Sequence, residues 1–494
     1  MSNYPPKHRA VSEAEAARPA PPRRRERGRW YAAGLAGLAG VTGVATLAAF
    51  SGVAGAADND QYGTAQSVPC DSDKLITAIG RANAAGGAQL TLAARCTYTL
   101  TATQGTDGLP VITQPIAIDG QGATIVRAAN AANFRILNVA AGGDLTLQNL
   151  TITGGFAPNS DGGGGLLVQA GGQATLRNTT VARNQSTAVG GGIANYGITT
   201  VLGQAEGSGG TSGTNSSAPN NAPANGPTQA PSSGQSGGST TATGTAQVLG
   251  KVDSNSSQAG GGGIYNEGHL TTSNVEVSYN HSGAEGGGLS DLATSVLANT
   301  RIENNTAGAG GGGISTILGA ITKLTDSSVS NNTAGTSGGG ILCVSGAAVY
   351  VQRSKVDRNT AGGTDGGGGI LTFTLPLGGG PAFAVIEDSE VNENTATGGN
   401  GGGIANRLST VVLRRSHVSL NKAIGTASQG GGISNTSGRV TLTATQVTEN
   451  SATVTAGGIF TSDSLVIVDQ TSVIVANRPN NCTGSSFAVP NCFG

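Results

Sequence analysis

Two carboxylates, Asp326 and Asp388, fall at equivalent places in a repeating pattern, and the basic residues Arg353 and Lys355 stand between them in sequence. Carboxylates close to one another or to a base are what general acid–base catalysis or Ca²⁺-assisted proton abstraction needs. One carboxyl protonates the leaving oxygen while another activates water, or several hold Ca²⁺ while a basic residue removes a proton. The spacing argues against that use: Asp326 and Asp388 are two repeats apart, which on strands stacked about 4.8 Å per repeat means about 10 Å. Arg353, Lys355, Asp326 and Asp388 are the only candidates for an enzyme reading; no catalytic set, cofactor site or metal site is assigned. Cysteine offers a second chemistry. Cys70 and Cys96 bracket the first folded segment, and Cys482 and Cys492 close the chain. Both pairs are expected to be disulfides that staple the two ends of the array, as suits an oxidising compartment. Cys343 is left over; it follows Ile341 by two residues, shares its inward face on a strand, and reads as a buried structural thiol.

The elements that position these residues are set by two interlocked repeats. An apolar residue stands three positions before Asn184, Asn255, Asn280, Asn305, Asn332, Asn359, Asn394, Asn421, Asn450 and Asn477. A glycine run capped by Ile or Leu keeps step, as at Ile314, Ile341, Ile370, Ile404 and Ile433, and most intervals are 25 to 29 residues. That is the length of one solenoid turn. Five and seven residues before the Val stand apolar pairs such as Val349/Val351 and Val411/Leu413, and a period of two is a strand face. Each coil thus supplies three inward patches, and three short strands per turn around a narrow apolar interior make an all-β, single-stranded, right-handed parallel β-helix. The asparagines are expected to stack as a structural ladder, each amide donating to one neighbour and accepting from the other. The residue before each Val faces outward and runs Lys251, Glu276, Arg301, Ser328, Lys355, Glu390, His417, Gln446, a stripe of cross-strand ion pairs. Arg358 and Glu393 are expected to pair in the same way.

Composition agrees with this architecture. The chain has 83 glycines, 11% charged residues, 3% aromatics and a net charge of −1, so it offers no basic field for nucleic acid. The N-terminal region reads as an export signal or signal anchor (residues 1–57): a basic stretch ending at Arg29, an apolar stretch over 30–53, and Ala54-Gly55-Ala56 as a cleavage site. Sec export fits better than the twin-arginine route. Membrane contact is expected only through 30–53, if the signal stays uncleaved.

The remaining boundaries are a linker (58–69), an N-terminal cap and irregular first coils (70–155), repeats over 156–480 and a stapled tail (481–494). Asp71 or Ser72 caps a short helix whose residues Leu75, Ile76, Ile79 and Ala82 cover the open first coil. Between Ile193 and Ile264 lie 71 residues, so a polar Gly/Ser/Pro-rich insertion over 204–245 is read as a disordered loop thrown out from one turn.

The glycine-Ile and apolar-x-x-Asn pairs resemble the repeats of the pectin-lyase-like superfamily of parallel β-helix proteins, especially the polymorphic outer-membrane-protein type, in which Phe is usual where this chain has Val or Ile. Cys70–Asn83 with Cys96-Thr97-Tyr98-Thr99-Leu100 is similar to the leading module of secreted bacterial β-helix proteins. Arg353-Ser354-Lys355 matches a short element of pectin hydrolases, whose paired aspartates and Gly-His-Gly are absent. The resemblance implies a fold and no activity. The expected function is an exported cell-surface or extracellular scaffold of adhesion type whose partner is an unknown surface polymer or protein. The alternatives are a polysaccharide lyase or hydrolase and a non-catalytic glycan-binding protein. Glycan binding is disfavoured because Trp30 lies in the export segment and the tyrosines are scattered along the chain.

Overall fold

A computed structural model describes residues 65–204, 250–375 and 379–493. The stretch read as an export signal and most of the polar insertion lie outside these residues. What is described is an all-β parallel solenoid of about 13 turns with one helix near its beginning.

One turn shows how the sequence makes the shape. Ile341–Val344 belongs to an 11-stranded sheet, Ala348–Gln352 and Lys355–Asp357 to a 25-stranded sheet, and Thr360–Ala361 to a 10-stranded sheet. A turn therefore holds four strand pieces, one more than the three inward patches read from the sequence. The extra piece follows the ladder asparagine and turns only a small side chain inward, Ala334, Ala361, Ala396 or Ala423, all fully buried. Every strand pairs in parallel with its counterpart one turn away: Val329 lies against Val356, and Val356 against Val391. The two central strands of each turn share one sheet because Pro115–Arg127 and Asp144–Thr153 run through both of their ladders. Val349, Val351, Val356 and Ile341 are at most 1% exposed. Each such side chain contributes about 1.5–3 kcal/mol by leaving water, and this stacked column is the core.

Helix α1, Ser72–Ala85, covers the first coil. The Asp71 carboxylate accepts hydrogen bonds from the Asp73 and Lys74 backbone N–H groups, Leu75, Ala78, Ile79 and Ala82 are buried, and Gly86 ends the helix in the left-handed conformation. Gln66–Val68, inside the stretch expected to be linker, is a strand paired with Leu90–Leu92. It supplies the first coil with an edge partner, so the ordered structure begins before Cys70. Disulfides join Cys70 to Cys96 and Cys482 to Cys492, and Cys343 is free and buried.

Candidate functional site

The asparagine column is continuous. The backbone N–H and Nδ2 of Asn332 both donate to Asn359 Oδ1, at 2.9 and 3.0 Å, and Asn332 Nδ2 also donates to the Ile302 carbonyl at 2.9 Å. The same three bonds recur from Asn184 through Asn255, Asn280, Asn305, Asn359, Asn394, Asn421, Asn450 and Asn477. The glycine before each Ile serves this column: a side chain at Gly340 would sit 2.9 Å from Asn359 Nδ2 and 2.8 Å from the Gly369 carbonyl. At the C-terminal end Asn481, four residues after Asn477, accepts from Asn477 N and Nδ2 in place of a further coil. Period-based reading misses Asn481 because it breaks the repeat spacing.

Two more polar columns run inside the solenoid. From Ile302 onward Ser or Thr stands two residues before the Val or Ile of each ladder pair, and the backbone N–H groups of Ser327, Ser354 and Ser389 donate to Ser354, Ser389 and Ser416 Oγ at 3.0–3.2 Å. Two residues after each capping Ile or Leu is another buried column that includes Asn195, Asn266, Asp291, Thr316, Cys343 and Thr372. Asp291 is fully buried, accepts from Asn266 Nδ2 at 2.8 Å and Thr322 Oγ1 at 2.7 Å, and is raised above the usual carboxylate range by burial. Cys343 Sγ donates to the Ala347 carbonyl, and burial pushes its thiol up to about 12, so it holds no thiolate at neutral pH.

The four candidate catalytic residues lie outside, and they are not gathered. Asp326, Arg353, Asp388 and Arg415 occupy one turn column, all with φ between 46° and 50°. Arg353 clasps Asp326 with two bonds of 2.8 and 2.9 Å. It does not bridge to Asp388, which is held instead by Arg415 at 2.7 and 2.9 Å, and Arg415 also reaches Glu387. Hydrogen bonds from these guanidinium groups hold both aspartates below the usual carboxylate range. A general acid needs the opposite shift. Lys355 pairs with Glu390 at 3.1 Å, and Glu276 is shared by Lys251 and Arg301, so the outward stripe is an ion-pair ladder in these coils. Arg358 departs from expectation: it pairs with Asp357 on its own strand and reaches Asn331, not Glu393. Among the described residues no group of three His, Cys, Asp or Glu side chains is placed to hold a metal ion, and no helix is long and apolar enough to cross a membrane.

Aromatic residues far apart in sequence meet in the structure, which corrects the expectation that the tyrosines are scattered. Tyr196 and Tyr265 lie with ring centroids 5.9 Å apart. Tyr265 is only 9% exposed and donates to Glu267, while burial, first among its causes, pushes the Tyr196 hydroxyl up to about 12. Tyr196 is half-buried and its hydroxyl donates to the Asp161 carbonyl at 3.2 Å. Tyr350 and Phe383 stand on adjacent coils of the 25-stranded sheet, edge to face at 6.4 Å, and their side of the sheet is open; Tyr350 is 37% exposed.

Taken together, the columns and faces define a parallel β-solenoid stapled by disulfides near both ends, with polar ladders inside and ion-pair stripes outside. No family model matches the chain, and no curated protein does. Two solved structures are similar to it: the surface adhesin PfbA of Streptococcus pneumoniae, at 9% identity and a TM-score of 0.33 over 85% of this chain and 90% of that one, and tailspike protein 3 of bacteriophage CBA120, at 10% and 0.34 over 84% of this chain. The match spans 59% of the tailspike chain. At these scores neither likeness carries an argument about function.

Proposed function

We propose that this protein is an exported cell-surface or extracellular scaffold of adhesion type, which works by presenting long flat faces and performs no chemistry. The observation that supports this most directly is the fate of its reactive groups. Asp326 and Asp388 are each clasped by an arginine, Lys355 is paired with Glu390, and Cys343 is buried as a thiol. Two disulfides in one chain suit an oxidising compartment, and the basic-then-apolar N-terminus supplies the export signal. The outer faces of the strands are left as the working surface.

The test has two arms. The purified chain is incubated with pectate, pectin and related acidic glycans with and without Ca²⁺, and no unsaturated or reducing ends are expected. Turnover abolished by changing Arg353, Lys355, Asp326 or Asp388 would restore the lyase or hydrolase reading. In the second arm the chain is offered to intact cell surfaces and a glycan array, and saturable binding is expected; its absence would leave a purely structural role.

A further inference from the structure

The last coil is continued by the tail on two of its sheets and left open on the third. The Ile459 N–H donates to the Asn481 carbonyl, the Ser486 N–H to the Thr461 carbonyl, and the Ala452 N–H to the Arg478 carbonyl, so the 11- and 10-stranded sheets are carried on. On the 25-stranded sheet the last strands, Leu465–Val468 and Val473–Val475, pair only with the coil before them. Among the described residues one tail side chain hydrogen-bonds that edge, Asn491, which donates to the carbonyls of Val468 and Asp469. The outward positions change character at the same place: Arg439, Thr441, Gln446 and Thr448 of the preceding coil are followed by Leu465, Ile467, Val473 and Val475. Leu465, Val473 and Val475 are 43–54% exposed, and the tail adds Phe487 at 54% and Phe493 at 81%. Edge strands are usually guarded by charge or by a covering segment, and these two strands carry no charge. Asp469, in the corner between them, is held by Thr471, Ser472 and the Ala444 N–H. Two opposite charges flank the edge, Asp463 before the first strand and Arg478 after the second; both are exposed, and neither is ion-paired among the described residues.

We infer that this edge docks a second copy of the chain, tail to tail about a two-fold axis. A two-fold runs the paired edges antiparallel and uses the same patch on both partners. With the axis in the corner, between Gln470 and Thr471, Leu465–Val468 lies against the partner's Val473–Val475, and Asp463 lies opposite the partner's Arg478. Symmetry makes each contact twice. Apolar side chains then meet apolar side chains across the seam, and each flanking charge meets its opposite. The other end of the solenoid offers no such match: it is closed by helix α1, whose Asp73, Lys74, Thr77 and Arg81 face solvent. Head-to-tail stacking would set an apolar edge against those charges. Because the corner lies on the axis, the 25-stranded sheet continues into the partner's sheet on the same side, and two copies present that face together. The inference concerns assembly and stands apart from what the faces bind.

The experiment is sedimentation velocity of the purified full chain over a concentration series at low and high salt. A monomer–dimer equilibrium that stops at the dimer is expected. The double variant Val473→Lys, Val475→Lys should weaken it about a hundredfold or more, since like charges then face each other along the edge. Asp463→Arg alone, or Arg478→Asp alone, sets like charges opposite one another and should weaken it about tenfold at low salt. Combining the two reversals in one chain, or mixing the two single variants in equal amounts, should recover the dimer. Lys74→Glu, at the opposite end, should leave it unchanged. All these side chains are exposed, so unaltered melting checks that the variants fold. A monomer at every concentration, or a dimer indifferent to Val473→Lys, Val475→Lys, would overturn the proposal. Masses that keep growing past the dimer, or a loss with Lys74→Glu, would overturn it in favour of head-to-tail stacking. Single charge reversals that weaken the dimer and are not rescued in combination would refute the two-fold register.

Discussion

Two turn columns run the length of this solenoid with the same left-handed backbone and opposite chemistry. At one, Asn331, Arg358 and Glu393 hold φ near 54° and the next residue is always the buried ladder asparagine. At the other, Asp326, Arg353, Asp388 and Arg415 hold φ near 48° and face solvent. The buried column uses one residue type because a neutral amide donates and accepts in the same direction on every floor, so any break strands a partner in low dielectric. The exposed column tolerates Asp, Arg, Asn or Ala because water completes whatever is missing. Equal geometry therefore gives unequal energetic stakes.

The largest expected effect is on the buried side. Asn332→Ala removes the acceptor for both Asn305 N and Asn305 Nδ2 and the donor to the Ile302 carbonyl. Chemical denaturation should show a loss of about 2–4 kcal/mol, and an unchanged midpoint would reduce the ladder to decoration. Ser354→Ala, which deprives Ser327 N of its partner, should cost about 1–2 kcal/mol by the same measurement.

Asp291→Asn works in the opposite direction. Burial raises the folded pKa of Asp291 above its unfolded value, so ionisation opposes folding at pH above the folded value, and the penalty is relieved as pH falls through it. An asparagine there would continue the amide column from Asn266. It should stabilise the chain by about 1 kcal/mol at neutral pH and flatten the pH dependence in that region; a destabilised variant would show that the carboxylate is needed.

The smallest effect belongs to the exposed column. Asp326→Asn should shift stability by no more than about 0.5 kcal/mol. Its folded pKa is lowered by Arg353, so whatever it contributes is present above the unfolded value of about 3.9 and is lost as pH falls through the lower folded value. The double variant with Asp388→Asn should differ from the parent only above that acid limb. A loss comparable to Asn332→Ala would erase the contrast between the two columns.

The same contrast explains what was legible in the sequence. Positions such as Val356 and Asn359 repeat because burial and amide geometry accept little else, and their period alone gives a parallel solenoid and its register. The rule that places Cys343 inward, two residues after Ile341, holds equally for Asp291 after Leu289 and Asn266 after Ile264, so the same spacing encodes that inner column. Tyr350 and Phe383 were not readable as neighbours. Outward positions are free to vary, and the connection between these two coils is longer than most, so nothing periodic ties residues 33 apart in sequence. Likewise, the partner each arginine chooses at an exposed turn is settled by rotamer and local backbone, as Arg358 and Arg415 show, and no spacing rule encodes it.

One consequence of Asn481 concerns the last floor. Because every ladder asparagine donates its backbone N–H and one Nδ2 hydrogen toward the C-terminal side, a bare last floor would leave these donors without an acceptor. Asn481 occupies that vacancy with its Oδ1, turns its Nδ2 to the Phe493 carbonyl, and is followed at once by the disulfide from Cys482 to Cys492. The tail thus completes the amide column at the last described floor, giving its final donors a partner from the same chain.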